Sequence, residues 1–165
     1  MFYVGDKYKL IQEIKQYFPK NIDTFVEPFV GGGTVFLNVE AKEYLLNDID
    51  KYVYDLHNFL KGKSEEKDFL DEVLKYVKTY KLSRSFIEDV VPQTLKEQYK
   101  KTYYAKYNQE GYNKLKEDFN KAKRKDSMLL YILLIYGFNR MLRFNSKGEF
   151  NVPVGNVDFN KNVEV

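Results

Sequence analysis

The sequence predicts an α/β protein with a partial parallel sheet near its start and an inserted helical region that ends in a β-hairpin. Two short apolar stretches flank a run of three glycines, which is the order of a strand, a turn and a second strand. Several segments with helical spacing of apolar residues follow. The last part of the chain changes to turn-forming and strand-forming residues, which predicts the hairpin.

The first predicted unit runs from strand to strand across the glycines. Residues 22–30 (IDTFVEPFV) are rich in β-branched and aromatic residues, which is typical of a strand. Residues 31–33 are all glycine and predict a tight turn, and a helix is expected to start at Thr34, whose hydroxyl is well placed to cap it. Residues 44–49 predict a second short strand. This order predicts a βαβ unit, and therefore parallel strands.

Helices are predicted on both sides of this unit, because apolar residues recur every three or four positions. They cover residues 7–18, 51–60, 65–79, 95–107 and 110–123. A connector over 81–92 is expected to contain a short helical piece. Asp126 or Ser127 is expected to cap a last helix that runs through Ile135 and is apolar nearly all round, which predicts burial.

The composition excludes several classes of function. There is no cysteine, which excludes a disulfide framework, a thiol nucleophile and a Cys-based zinc site. The single histidine, His57, leaves no histidine cluster for a metal and is interpreted as structural. No signal peptide opens the sequence, and the longest apolar run, 128–136, is too short to cross a bilayer. A cytoplasmic protein without a membrane partner is therefore expected.

The charge is unevenly distributed along the chain. Residues 96–125 contain ten Lys or Arg against four Asp or Glu, whereas the rest of the chain contains 17 against 20. A basic segment of this kind is typical of nucleic-acid binding, but a solvated lysine-rich helical face has the same composition. The 15 tyrosines and 13 phenylalanines are likewise compatible with core packing and with stacking on bases.

The glycine turn and an acid downstream of it predict a cofactor site. The loop Glu27-Pro28-Phe29-Val30-Gly31-Gly32-Gly33 lies between a strand and a helix, where the absence of Cβ atoms lets a ligand approach the backbone. Asp48 ends the next strand, 15 residues beyond Gly33, where a carboxylate can accept hydrogen bonds from both hydroxyls of a ribose. Together they predict a nucleoside-bearing cofactor at the carboxyl ends of the strands. They do not distinguish a nicotinamide cofactor from S-adenosylmethionine.

Four stretches resemble the Dam-type (D12 class), S-adenosylmethionine-dependent DNA adenine N6-methyltransferases. FVEPFVGGGTVFLN and LNDID are similar to the cofactor-binding motifs of that family, and the opening YVGDK is similar to its first motif. YGFNRMLRFNSKGEFNVPVG resembles its DNA-recognition hairpin. These stretches occur in the family's order over nearly the whole chain. The resemblance implies a Rossmann-like methyltransferase core over 1–56, a helical target-recognition insertion over 57–155 with its hairpin at 138–155, and a return to the core over 156–165.

The resemblance implies that S-adenosylmethionine is the cofactor and assigns residues to it. Tyr3 and Lys7 would line the pocket, because a ring can pack on adenine and an ammonium can meet the carboxylate of the cofactor. Asp48 would hold the ribose. The cofactor-binding set implied in this way comprises Tyr3, Lys7, Glu27, Pro28, Phe29, Gly31, Gly33 and Asp48.

The resemblance also implies contacts with double-stranded DNA. Arg143 corresponds to the residue that reads a guanine, because its fork can bond both O6 and N7 in the major groove. Phe138 and Asn139 correspond to positions beside the disturbed base pair, where an apolar wedge offsets lost stacking. The other implied roles are apolar contact with a thymine methyl for Met141 and Pro153, phosphate contacts for Arg140 and Lys147, membership of the DNA-binding set for Asn145, and phosphate attraction for Lys121, Lys123, Arg124 and Lys125. Phe138 and Met141 are equally compatible with packing.

Two departures from the family pattern concern catalysis and base reading. Members carry Asp-Pro-Pro-Tyr or a close variant, whereas the four prolines of this chain are never adjacent, so no catalytic residue is assigned. Some members have a base-reading lysine where this chain has Phe2.

The resemblance predicts methylation of adenine N6 in a GATC-like site after base flipping, with no metal. The chain alone is expected to be inactive, and a separate C-terminal half is a possible partner. A non-catalytic or split-chain DNA-binding module is the alternative, whereas the loop and hairpin argue against a nicotinamide enzyme.

Overall fold

Two short strands pair in parallel, as the predicted βαβ unit requires. In the computed structural model, β1 is Thr24–Glu27 and β2 is Glu43–Leu46, with Thr24 opposite Glu43 and Glu27 opposite Leu46. Both strands are shorter than predicted. Pro28, which has no N–H to donate to a ladder, follows β1 directly. The parallel pairing brings the carboxyl ends of both strands to the same edge of the sheet.

The structure describes residues 5–122 and 126–160, which divide into a first compact unit that ends at residue 58 and a second one that begins at residue 59. The helices are α1 Ile11–Lys15, α2 Lys51–Lys63, α3 Phe69–Thr79, α4 Gln93–Gln98, α5 Tyr103–Lys121 and α6 Ser127–Tyr136. The predicted helix over 7–18 is reduced to a 3-10 turn, Tyr8–Leu10, followed by the short α1. Tyr3 and residues 123–125, for which sequence roles were predicted, lie outside the described residues.

The crossover between the strands differs from its prediction. It contains only a 3-10 turn, Phe36–Asn38, and Thr34 does not cap it. The N–H of Phe36 donates instead to the carboxylate of Glu27 at 3.1 Å, so an acid from the end of β1 satisfies the amide that a capping hydroxyl was expected to bond. The turn ends at Val39, which is buried and extended.

The two helices predicted over 95–107 and 110–123 in the second unit are divided at a different place. The break lies between Gln98 and Tyr103, not at residues 108–109. Asn108, in the interior of α5, donates from its amide to the Ser83 hydroxyl and to the Val157 carbonyl, both at 3.0 Å. Its poor helix propensity is therefore offset by buried tertiary hydrogen bonds. The connector over 81–92 contains an antiparallel bridge between Arg84 and Glu88, where a short helical piece was predicted.

The last helix confirms its prediction in both respects. The carboxylate of Asp126 accepts hydrogen bonds from the amides of Met128 and Leu129, each at 3.0 Å, so Asp126 is the N-cap. All residues from 128 to 136 are buried. This helix therefore lies at the centre of the second unit.

Within residues 5–122 and 126–160, no helix has both the length and the apolar character needed to cross a membrane. The same part of the chain contains no group of three or more acidic or histidine side chains placed to hold a metal ion.

Candidate functional site

A pocket of about 380 Å³ lies in the first unit at the carboxyl ends of the strands. This volume is within the range of small-molecule sites. Its lining residues are Gly5, Asp6, Lys7, Glu27, Phe29, Val30, Gly31, Gly32, Thr34, Val35 and Asp48. Five residues of the predicted cofactor set are thus brought together around one cavity. Pro28 and Gly33 belong to the same loop but are not among the lining residues.

The loop conformation requires glycine at two positions. Gly31 has a φ of 49° and Gly33 a φ of 80°, both in the left-handed region that residues with a Cβ rarely adopt. The turn is closed by a hydrogen bond of 2.8 Å from the Gly33 amide to the Val30 carbonyl. The two glycines thus allow the sharp turn.

Asp48 ties the loop to the end of β2. Its Oδ2 accepts a hydrogen bond of 2.8 Å from the Gly31 amide, and its Oδ1 accepts one of 2.9 Å from the Asp50 amide. An ionised carboxylate has about four acceptor positions, so further hydrogen bonds from a ligand are chemically feasible. The acid predicted to hold a ribose is therefore half-buried and oriented by two backbone donors.

Glu27 and Lys7 occupy the same pocket with different environments. Burial raises the pKa of Glu27 above its ordinary value, and the hydrogen bond from the Phe36 amide partly opposes this shift. Lys7 is exposed, and its ammonium donates to the Gly5 carbonyl at 2.7 Å. Phe29 is 80% exposed at the pocket. The pocket thus combines a cation, three carboxyl groups and an exposed aromatic ring.

Sequence reasoning missed the part that His57 plays in this site. Its Nε2 donates to the Gly31 carbonyl at 2.8 Å, and its ring packs edge-on against Phe36 with centroids 5.7 Å apart. A lone histidine on a helix is usually a packing residue, and no local pattern distinguishes the two roles.

In the second unit, the segment 137–155, which contains the predicted hairpin, turns back on itself without a continuous ladder. It has two isolated antiparallel bridges, between Gly137 and Val154 and between Phe144 and Phe150. The turn at its tip is closed by a 2.8 Å hydrogen bond from the Gly148 amide to the Asn145 carbonyl. We call residues 137–155 the reading segment, after the role that the sequence analysis predicts for them.

Helix α5 anchors the middle of the reading segment. The Asn120 side chain accepts a hydrogen bond from the Phe150 amide at 2.9 Å and donates to the Phe150 carbonyl at 3.1 Å. The Phe150 ring is buried edge-on against Phe119 and against Phe144. The bridge between Phe144 and Phe150 uses backbone groups of their neighbours, so the N–H and C=O of Phe150 point away from that bridge and are satisfied by α5.

Arg143 is exposed and held by the opposite arm of the reading segment. Its Nε donates to the Asn151 side-chain oxygen at 2.9 Å, and its Nη2 donates to the Asn151 carbonyl at 3.1 Å. A guanidinium has five N–H groups in a planar fork, so the edge formed by Nη1 and the second Nη2 hydrogen faces away from these bonds. This arrangement orients the arginine without using the edge that a guanine would need.

The other predicted DNA contacts are distributed along the reading segment. Phe138 is 50% exposed, Pro153 is exposed, and the Phe138 amide donates to the Pro153 carbonyl at 2.9 Å. Asn139 and Arg140 both have a φ of 51°, a conformation that costs an arginine roughly 1 kcal/mol. Met141 is half-buried and Lys147 is exposed. Asn145 stabilises the turn, because its Oδ1 accepts hydrogen bonds from the amides of Lys147 and Glu149.

Several lysines of the basic segment have partners within their own helices. Lys121 pairs with Glu117, and Lys114 pairs with Asp118. Lys116 lies over the ring of Tyr112, 5.6 Å from its centroid. The positive charge of α5 is therefore partly neutralised within the helix.

Residues 3–164 of the chain match the family described as D12 class N6 adenine-specific DNA methyltransferase. The match spans nearly all of the 165 residues, and the mixed helix–strand fold with its small parallel sheet is consistent with a methyltransferase. The chain therefore belongs to the D12 class of adenine-specific DNA methyltransferases.

Individual relatives agree with this family. The chain is 35% identical over 156 residues to the DNA adenine methylase of Escherichia coli, covering 93% of this chain and 46% of that protein. It is 33% identical over 153 residues to the type II methyltransferase M.FokI of Planomicrobium okeanokoites, covering 93% of this chain and 20% of that protein. It is also 30% identical over 153 residues to the modification methylase StsI of Streptococcus sanguinis. The chain thus spans less than half the length of these relatives.

Proposed function

We propose that this chain is the cofactor-binding and DNA-reading part of an adenine N6-methyltransferase that uses S-adenosylmethionine on double-stranded DNA. The observation that carries the proposal is the pocket in which the glycine loop, Lys7 and Asp48 meet at the carboxyl ends of two parallel strands. Nucleoside cofactors bind at this edge of α/β sheets. Membership of the D12 class makes S-adenosylmethionine the cofactor to test.

The residues of the pocket suit different parts of this cofactor. Asp48 would accept hydrogen bonds from the ribose hydroxyls, and Lys7 would pair with the carboxylate of the methionine portion. The exposed ring of Phe29 would pack against an apolar or aromatic surface of the ligand. Bound there, S-adenosylmethionine supplies the methyl group of its sulfonium for transfer to adenine N6.

The reading segment would contact the DNA from the second unit. Arg143 would bond a guanine through its outward edge, and Phe138 would fill the space left when the target adenine leaves the stack. The half-buried Met141 and the exposed Pro153 would meet apolar base edges. We propose a GATC-like site, since this family resemblance extends along the whole reading segment.

We propose that a C-terminal half, which carries the Asp-Pro-Pro-Tyr motif, completes the site. Parallel sheets are normally covered on both faces. In the first unit, however, Val26 of β1 is 58% exposed and Leu45 of β2 is 52% exposed. Further strands and helices that extend this sheet would bury these side chains and bring the acceptor for the adenine amine to the pocket.

The cofactor assignment is tested by removing the carboxylate of Asp48. We expect Asp48→Ala to weaken the binding of S-adenosylmethionine by roughly 1.5 kcal/mol, about tenfold. This is the lower end for bonds to a charged group, because Asp48 is only half-buried. Isothermal titration calorimetry on the 165-residue chain measures the effect.

The matched control is Asp55→Ala in the same unit. It also removes one carboxylate, but that carboxylate pairs with Lys51 on the surface of α2. The control should bind S-adenosylmethionine as the wild type does. Equal affinities of Asp48→Ala and the wild type would exclude Asp48 from the site.

The need for a C-terminal half is tested by single-turnover methyl transfer to a GATC duplex. We expect no methylated adenine with the 165-residue chain alone, because it contains no Asp-Pro-Pro-Tyr. Transfer should appear when a polypeptide that carries the C-terminal half of the Escherichia coli relative is added. Transfer by the chain alone would contradict the proposal, and binding without transfer in any mixture would favour a purely DNA-binding module.

A further inference from the structure

His57 contacts the glycine loop without lining the pocket. Its Nε2 lies 2.8 Å from the Gly31 carbonyl oxygen. The carbonyl can only accept, so the ring must carry a hydrogen on Nε2. Burial lowers the pKa of His57, so the ring is neutral at neutral pH and donates as the Nε2–H tautomer.

The same ring limits the space behind the second left-handed glycine. A Cβ on Gly33 would lie 2.9 Å from Cε1 of His57 and 2.7 Å from Cε1 of Phe36. These two rings pack against each other with an interplanar angle of 68°. The turn of the loop is therefore packed against the rings of Phe36 and His57.

Gly31 is consequently held at both of its backbone groups. Its amide donates to Asp48, and its carbonyl accepts from His57, both at 2.8 Å. A trans peptide points its carbonyl and the following N–H in opposite directions, so the bond from His57 also sets the direction of the Gly32 amide. Three elements, β1 with its loop, the end of β2, and α2, are joined through this one glycine.

We propose that His57 is a positioning residue that holds the Gly31 carbonyl, and thereby keeps the glycine loop and Asp48 in the arrangement that binds the cofactor. The effect on cofactor affinity rests on the proposed function. The effect on the loop itself does not, and the two can be measured separately.

The test compares His57→Phe with His57→Gln. Phenylalanine keeps a ring against Phe36 but has no donor, whereas glutamine places an amide nitrogen near the position of Nε2. We expect His57→Phe to weaken S-adenosylmethionine binding about tenfold, because the Gly31 carbonyl loses its partner. We expect His57→Gln to recover most of the affinity. A residue that only fills space would show no such rescue, because glutamine replaces the ring poorly.

Asn58→Ala is the matched control on α2. It removes a side-chain bond to the Tyr54 carbonyl on the exposed face of the helix, one residue away. It should leave the affinity unchanged. An affinity of His57→Phe equal to that of the wild type, or a His57→Gln variant as weak as His57→Phe, would overturn the proposal.

Amide hydrogen exchange followed by NMR tests the loop without the cofactor. In His57→Phe, exchange should accelerate at Gly31 and Gly33 and stay unchanged at Asn47, whose amide bonds the Glu27 carbonyl next to the sheet. If the wild type does not bind S-adenosylmethionine, the proposed cofactor is wrong. Faster exchange at Gly31 would then still support the positioning role, and unchanged exchange would overturn it.

The ring nitrogen shifts of the wild type provide a measurement that needs no variant. We expect a hydrogen on Nε2 and none on Nδ1 at neutral pH, as the bond to Gly31 requires. The opposite tautomer would overturn the proposal even if His57→Phe fails to fold.

Discussion

Gly111→Ala is expected to lower the free energy of unfolding of the second unit by at least about 3 kcal/mol, the upper part of the range for overpacking. A Cβ on Gly111 would lie 1.8 Å from the carbonyl oxygen of Tyr80 and 3.0 Å from its carbonyl carbon. Both atoms belong to the backbone, so no side chain can rotate away. Either α5 or the end of α3 must move, and the packing of α5 is lost in both cases.

The control for this prediction is the same substitution at Gly62 in α2. A Cβ there meets no atom within 4 Å, so Gly62→Ala should stabilise the helix by up to about 1 kcal/mol. Urea unfolding of the two variants measures the contrast, with opposite signs expected. A Gly111→Ala variant as stable as the wild type would mean that α5 is not packed against Tyr80 as the structure describes.

This destabilisation should extend to DNA reading. Asn120 and Phe119, which hold Phe150, lie on the same helix as Gly111. A shift of α5 would therefore loosen the reading segment even though none of its own residues is substituted.

Arg143→Ala is expected to cost roughly 1–3 kcal/mol of binding on the cognate duplex and little on a scrambled one. The reason is that a bidentate contact with guanine depends on sequence, whereas attraction to phosphates does not. Asn151 holds the guanidinium through Nε and Nη2, so much of the ordering cost of the side chain is already met before DNA binds. Competition binding with GATC and scrambled duplexes measures the difference.

A phosphate-contact variant serves as the comparison for Arg143. Lys100 and Lys101 are exposed, and we expect Lys100→Ala/Lys101→Ala to weaken both duplexes alike and to flatten the salt slope by about 0.9 per lost contact. Lys121→Ala should change the slope less, because Lys121 already pairs with Glu117. If Arg143→Ala weakened binding to both duplexes equally, the reading segment would contact the DNA backbone without reading its sequence.

Local signals were interpreted correctly where neighbours in sequence decide the structure. The parallel pairing of β1 and β2, the burial of α6 and the cap at Asp126 all follow from periodicity and from side-chain chemistry within a few residues. The predictions that were wrong involve distant partners. At the crossover, the Phe36 amide bonds the carboxylate of Glu27 and not the hydroxyl of Thr34. The helix break predicted at residues 108–109 lies inside α5, where Asn108 bonds Ser83.

The candidate site also contains residues that the sequence predicted and contacts that it did not. The glycine loop and Asp48 were predictable, because a strand, a glycine turn and an acid at the next strand end recur in a fixed order along the chain. Their convergence on one pocket with Lys7 agrees with that expectation. The individual roles of these residues in binding stay predictions until the affinities are measured.

The sequence by itself determined the family, the βαβ unit and the residues to test, because each of these depends on residue types in a linear order. Only the tertiary structure decided that His57 bonds Gly31, that Asn151 holds Arg143, and that Gly111 meets the carbonyl of Tyr80. The His57 and Gly111 contacts join residues 26 and 31 positions apart, and no local propensity or periodicity encodes them. Asn151 is nearer in sequence to Arg143, but its contact depends on how the reading segment folds back over α5. The physical reason is that such contacts form only when whole helices and strands pack together. The role of a ring, an amide or a missing Cβ then depends on the neighbouring surface that this packing places against it.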